Sequence, residues 1–476
     1  MTSKLVKRRE FLSGIAQTSI ALMMLGRTSQ VVATSLNKPS VVILGAGLSG
    51  LYAAMLLEVQ GLKVTILEAR DRVGGRIYTL NELPGKPEAG GVSFGKSYKT
   101  LLALAQKLEV EVEPLPGFDR ELLLHINGKS ILPSQWTNSE ANKLSEAEKN
   151  ILPSRLMSSY INPNNPLKDA EAWLSKNNNY LDIPLSEFLQ AKGASPEALR
   201  LMNIAPNTNN IKTSSLLWEM RNNQRIQNRI PGPPLHIKGG NSRLPEAMAA
   251  SLKSWIQTNK VVEAIHNKEN MVEVHCADGS VFKADFAICT IPFSVLRDIE
   301  IKPALPPLQA QAVQELPYTS ITKIFLSVIS PFWQQDSFPP QMWTDTTLER
   351  IFPLKDSLGE IKTLLGWVDG ENAMKIDSMP MQESSRFIKS ELAHIRPATK
   401  GNVEISRLVS WGKDPFAKGA YSHFAPGQIS TFVKDMAKPW QRIHFAGYHT
   451  GIKYPGMESA LKSGERAAKE ILHRIA

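Results

Sequence analysis

Runs of apolar residues and the polar residues that interrupt them divide the chain before any single residue is considered. Ser40 to Leu44 is a short Val/Ile/Leu run of the kind that forms a parallel strand buried on both faces. It passes through Gly45-Ala-Gly47-Leu-Ser-Gly50 into Leu51 to Leu57, which is apolar and helix-favouring. A second strand run, Lys63-Val-Thr-Ile-Leu67, ends on Glu68. Together these predict a strand–turn–helix–strand unit. Further on, Val261 to Ile265, the turn residues Asp278-Gly279 and the run Ala284 to Pro292 predict a strand, a hairpin and a buried strand. Ile321 to Val328 and Ile361 to Trp367 predict a second sheet. Between about 100 and 235 the pattern is polar and asparagine-rich, as in Asn162-Pro-Asn-Asn-Pro166, with helix-compatible runs such as Thr100 to Leu108. No internal repeat is evident.

The first 33 residues do not fit this pattern. Lys7-Arg8-Arg9-Glu10-Phe11-Leu12 precedes the apolar run Ile15 to Leu25, which Gln17, Thr18 and Ser19 interrupt. The run is well short of the ~20 residues that span a bilayer. A charged region before a short apolar one is the layout of a targeting peptide. Arg8-Arg9-x-Phe-Leu resembles the twin-arginine signal, which suits a protein that folds around a cofactor before export. The expectation is a periplasmic or membrane-associated protein, with cleavage after Ala33 or an uncleaved tether.

Charge and composition change the picture little. Half of the net charge of +10 lies in residues 1 to 38, where Lys4, Lys7, Arg8, Arg9, Arg27 and Lys38 oppose Glu10 alone. No block of basic residues is interleaved with aromatics, so a nucleic-acid partner is not expected. Peripheral membrane association is compatible with the remaining charge. The two cysteines, Cys276 and Cys289, have neither a CxxC nor a zinc-site spacing and read as reduced, structural thiols. A length of 476 residues suggests two domains.

The glycine turn carries the first chemistry. Gly45 allows the tight turn, Gly47 lets backbone approach a pyrophosphate, and Gly50 lets helix and strand pack closely. Leu48 and Ser49 open the helix, whose unpaired N–H groups face an anion. Glu68 is placed to accept hydrogen bonds from ribose hydroxyls. With its flanking strand, helix and acid, the unit predicts dinucleotide binding.

The segment after Glu68, Ala69-Arg70-Asp71-Arg72-Val73-Gly74-Gly75-Arg76, resembles the second FAD signature of the flavin amine oxidase superfamily, which includes monoamine oxidases and L-amino-acid oxidases. The resemblance continues in Pro87-Glu-Ala-Gly90-Gly91-Val92-Ser93, in Gly239-Gly240-Asn-Ser-Arg243-Leu-Pro, and in Arg442-Ile-His-Phe-Ala-Gly447 leading to Tyr454-Pro-Gly456-Met457. It covers roughly residues 39 to 476 and is weakest between about 100 and 235. It implies an α/β fold, a Rossmann-like FAD-binding domain with an inserted α+β substrate domain. The FAD domain would comprise residues 39–98, 236–300 and 411–476. The substrate domain would comprise a helical insert at 99–235 and a sheet at 301–410. Cofactor contacts implied by the match are Gly45, Gly47, Leu48, Ser49, Gly50, Glu68, Ala69, Arg70, Arg76, Gly90, Gly91, Val92, Val262, Gly447 and Met457.

The resemblance also marks the reacting end. Lys323 matches the family lysine that holds a water at flavin N5, and a lysine inside an apolar β-run is costly unless paired or working. Tyr421 matches one wall of the aromatic cage, and Trp367 matches a pocket aromatic. Ala420 stands where covalent members carry a cysteine, so FAD should be noncovalent. Gly456 replaces the opposite cage aromatic, so the pocket should be more open there. Ser93 replaces the arginine that clamps a substrate carboxylate in animal-type L-amino-acid oxidases; Arg221 or Arg225 could substitute. Tyr448 replaces an acid that contacts the cofactor. The implied reaction is oxidative deamination of an L-amino acid or primary amine by hydride transfer to flavin N5. Its products would be an oxo compound and ammonia, with O2 or a membrane quinone as acceptor. A flavin desaturase or porphyrinogen oxidase, and a non-catalytic flavin scaffold, are the alternatives.

Overall fold

A computed structural model describes residues 38–116, 121–356 and 358–476. The expected export signal at 1–33 lies outside these residues. Among the described residues no helix is long and apolar enough to cross a membrane.

The predicted opening unit forms as β1 (Ser40–Leu44), α1 (Leu48–Val59) and β2 (Lys63–Leu67). β1 lies at the centre of a five-stranded parallel sheet. Phe286–Cys289 and then Ile443–Phe445 flank it on one side, and β2 and then Trp255–Gln257 on the other. Its unbroken apolar run has a simple cause: both faces are covered. Val41 and Ile43 pack among residues of α1 and of the C-terminal helix Gly456–Ile475, while Val42 and Leu44 enter a core on the opposite face. Backbone contact is close where the helices meet the turn. A side chain on Gly50 would lie 2.0 Å from the Gly45 carbonyl, and one on Gly464 would lie 2.2 Å from that of Ser49.

The hairpin predicted around Asp278-Gly279 belongs to a four-stranded sheet ordered Val281–Ala284, Val272–Cys276, Val262–Asn267, Glu300–Lys302. A seven-stranded sheet is ordered Val403–Ser410, Ile321–Val328, Ile361–Asp369, Arg350–Lys355, Met342–Thr344, Leu123–Ile126, Lys129–Ile131.

The last two strands add a hairpin to residues 99–235, which read as a helical insert. Asn127 and Gly128, with φ of 49° and 74°, turn the chain between them. Asn-Gly flanked by apolar residues is a strong two-residue hairpin signal, and it is legible in the sequence. The rest of the stretch is largely short helices around buried Trp136, Trp173 and Leu217. Here serines do local work: Ser195 and Ser215 accept from the N–H groups of Ala198 and Trp218 at helix starts.

Candidate active site

A single cavity runs from the edge of β2 across the carboxyl ends of the parallel strands to the face of the seven-stranded sheet. At its first end lie Glu68, Ala69, Arg70 and Val262. Backbone holds the Glu68 carboxylate: Oε2 accepts from Ala46 N at 2.8 Å and Oε1 from Arg70 N at 2.9 Å. Arg70 donates to Asp414, and Lys260 to Asp278. Arg72 is spent inside its own loop, donating to the carbonyls of Val73, Gly75 and Ile77, so it does not serve as a phosphate ligand of the cavity.

Gly45, Gly47, Leu48 and Ser49 line the next stretch. No side chain caps α1 and no acid occupies its first turn. Its unpaired N–H groups and positive dipole end are therefore free for an anion. Gly47 has open space where a Cβ would project, and Gly45 has φ of +111°. Gly50 does not reach the cavity; it supports the turn from behind.

Further along lie Arg76, Gly90, Gly91, Gly447 and Met457. The half-buried Arg76 guanidinium donates to the Ala420 carbonyl at 2.6 Å, which fixes the segment carrying Tyr421. The C-terminal helix also starts without a side-chain cap, and Gly456, Met457 and Ala460 face the cavity. Its Glu458 is turned the other way, accepting from the N–H groups of Thr100 and Leu101 to cap the helix Lys99–Lys107. Val92 is not a lining residue; its carbonyl, like that of Gly91, accepts from Asn241 Nδ2. The Gly239-Gly240-Asn241 turn is thus the brace for the loop 88–92.

Lys323 is 2% exposed, so it does not face outward from the polar side of its strand. Its Nζ donates to the carbonyls of Glu88 at 3.0 Å and Gly90 at 2.7 Å and sits 4.4 Å from the Trp367 ring. Trp411 Nε1 donates to the intervening Ala89 carbonyl. Burial pushes the Lys323 ammonium down to about 7, against the opposing charges of Glu88 and Asp369. Burial likewise raises Glu88 to about 7, although it accepts from Asn241 N and Thr79 Oγ1.

Trp367 is positioned in turn by Asp369, whose Oδ1 accepts from Trp367 Nε1 at 2.7 Å and whose Oδ2 accepts from Arg350 at 2.7 Å. Burial, then the charge of Asp369, raises the neighbouring Glu349 to about 8.

Trp367, Tyr421, Gly456 and Ser93 all line this end, with Ser93 exposed. The space beside Gly456 is not empty, contrary to what the glycine alone suggested. The Tyr98 hydroxyl stands 2.7 Å from where a Gly456 side chain would begin, and Tyr98 and Tyr448 both line the cavity. No sequence signal marks Tyr98, because it precedes a helix far away along the chain.

Arg221 and Arg225, the candidate substitutes for a carboxylate clamp, lie outside the lining of the cavity, and the Nε of each is buried without a partner. Arg221 lies 4.4 Å from each of the Trp173 and Trp218 rings and donates to the Ile452 carbonyl, which Arg225 also approaches.

The fit to FAD is therefore specific. Two uncapped helix starts, a backbone-held carboxylate and a glycine-lined path lie along one channel of a doubly wound sheet. Cys276 and Cys289 are both buried and neither lines the channel, so no cysteine is placed to bond the flavin.

Comparison with known proteins agrees. The family model described as flavin containing amine oxidoreductase matches residues 48–472. Human amine oxidase (flavin-containing) B is 27% identical over 465 residues, covering 92% of this chain and 87% of that protein. Among solved structures, cyclohexylamine oxidase from Brevibacterium oxydans IH-35A superposes with a TM-score of 0.76 at 23% identity, covering 92% of this chain and 99% of that one. Putrescine oxidase bound to putrescine gives 0.74 at 23% identity, with the same coverage. The chain belongs to the flavin containing amine oxidoreductase family and is an FAD-dependent oxidoreductase acting on amines.

Proposed function

We propose that the enzyme deaminates a primary amine that carries no α-carboxylate. The observation that carries this reading is the lining of the cavity, in which Lys323 lies against Trp367, while Tyr98, Tyr421 and Tyr448 add aromatic wall, and Arg70 and Arg76 are its arginines among the described residues. Arg76, the arginine of the lining nearest the reacting end, is committed to the Ala420 carbonyl. A substrate carboxylate would be desolvated there without a partner, which is costly. A neutral amine with an apolar body loses little.

Bound FAD supplies the acceptor for the two electrons leaving the amine carbon. The chain's own residues do the rest. The aromatic walls exclude water and orient the amine. Lys323, with its depressed pKa, holds or releases a proton near neutral pH. The imine product hydrolyses in water to a carbonyl compound and ammonia. O2 or a membrane quinone is the final acceptor. The Arg8-Arg9 signal is proposed to deliver the folded protein to the periplasm or the membrane face.

Anaerobic mixing with matched pairs, each amine beside its α-carboxylated analogue, tests the substrate class. Loss of flavin absorbance should be at least about tenfold faster with the amine, a margin of roughly 1.4 kcal/mol. Faster bleaching by the amino acids would overturn the choice between them. Bleaching by neither would overturn C–N oxidation itself. Peroxide and quinone-reduction assays on the active pair assign the acceptor. Replacing Arg8 and Arg9 with lysine should retain the protein in the cytoplasm.

A further inference from the structure

Away from the cavity, a second cluster of ligating side chains lies on the four-stranded sheet. His266 of Val262–Asn267 pairs directly with Glu273 of Val272–Cys276, and the next couple along is Ala264 with His275. On the other side of Ala264 lies Glu300. Residues two apart on a strand, and residues directly opposite, share a face. His266, Glu273, His275 and Glu300 therefore surround Ala264, whose small side chain leaves the space between them open.

The spacing is that of ligands rather than of a packed core. The imidazole rings of His266 and His275 are 4.6 Å apart between centroids, and ligating atoms of His266, Glu273 and His275 lie within 4.8 Å of one another. His266 Nε2 is 2.9 Å from Glu300 Oε2. Lys302 holds the other Glu300 oxygen at 2.6 Å, and Lys283 holds Glu273 Oε1 at 2.9 Å. Glu273 Oε2 has Lys268 only at 3.8 Å, so each carboxylate keeps one oxygen available to the imidazoles. A second observation is independent of these pairings. His275 Nε2 is buried and has no hydrogen-bond partner, so a lone pair or N–H of this ring is left for a ligand to satisfy, as also at His236, His444 and His449 elsewhere in the protein.

We propose that this face binds one divalent transition metal of the zinc class through His266, His275 and the carboxylates of Glu273 and Glu300. Two imidazoles with carboxylate oxygens suit zinc, whereas magnesium and calcium take oxygen ligands throughout. Bond lengths of about 2.0–2.2 Å place tetrahedral donors roughly 3.3 Å apart, which modest side-chain rotation reaches. The metal would tie together three strands, one of which also carries Val262 at the cofactor cavity. Metal binding is thereby coupled to retention of FAD.

Untagged, chelator-treated holoenzyme titrated with Zn2+ against a competing chromophoric chelator should bind one ion per chain. Co2+ should give the visible bands of a four-coordinate site. Zn2+ should also raise the temperature at which flavin fluorescence is released. His266→Ala and His275→Ala should each weaken binding by roughly tenfold or more and abolish the shift in flavin release. Their flavin-to-protein ratio reports that they have folded. If either variant fails to load flavin, Glu273→Gln replaces it in the same titration. The proposal is overturned if no stoichiometric ion binds, or if binding survives unchanged when both histidines are replaced.

Discussion

The two ends of the cavity are built on opposite plans. At the phosphate end, β1, α1 and β2 bring Gly45, Gly47, Ser49 and Glu68 together within one short stretch of chain, and most of the binding groups are backbone N–H. At the reacting end, Tyr98, Lys323, Trp367, Tyr421 and Tyr448 come from five distant segments, and side chains form the surface. A backbone site tolerates change except at its glycines. A side-chain site depends on partners that hold each residue in place, such as Asp369 for Trp367 and the carbonyls of Glu88 and Gly90 for Lys323.

The largest effect should come from Gly50→Val. Its side chain would meet the Gly45 carbonyl at 2.0 Å, and because that atom belongs to the backbone the turn itself must move. Overpacking of this kind costs about 1–3 kcal/mol or more. The purified protein should lack flavin, which the visible spectrum reports directly.

Lys323→Met should keep its flavin while losing turnover by on the order of 10²-fold or more, in the range of a lost acid–base group. Stability should change in the opposite sense. With its pKa lowered from 10.5 to about 7, Lys323 binds fewer protons folded than unfolded across that window, so the wild type gains stability as pH rises through it. The variant lacks that gain, so its advantage in melting temperature should be greatest near pH 7 and shrink towards pH 10.5. An equal shift at both pH values would show that Lys323 is not charged in the unfolded chain alone.

Asp369→Asn is expected to be milder. It breaks the ion pair with Arg350, a hydrogen bond to a charged group worth about 1.5–3 kcal/mol. It also removes a charge that favours protonated Lys323, so the acid limb of the activity profile should move to lower pH. Tyr98→Phe should have the least effect on small amines. Tyr98→Ala should admit bulkier ones, with KM changing more than kcat, and unchanged selectivity would separate Tyr98 from the substrate wall.

Legibility divides along the same line. The two-sided burial of β1 and the glycine spacing are readable because local backbone geometry depends on neighbours in sequence. The Asn127-Gly128 hairpin is equally local, although the polar stretch around it reads as helical. Arg72 shows the limit of matching: a guanidinium beside a phosphate signature turns inward to three carbonyls of its own loop. What stands beside Gly456 could not be read at all, because Gly456 and Tyr98 meet only when Glu458 caps the helix that Tyr98 precedes.

By itself the sequence determined the dinucleotide turn, the acid after it, the parallel strand at its centre and the lysine that belongs in no ordinary strand. These rest on short-range sterics and on the cost of burying charge. Only the tertiary structure decided which aromatics line the pocket, that Arg221 stacks on two tryptophans and donates to a carbonyl, and how far burial depresses Lys323. Each of those depends on which atoms replace water around a group, and that is set by contacts between residues hundreds of positions apart.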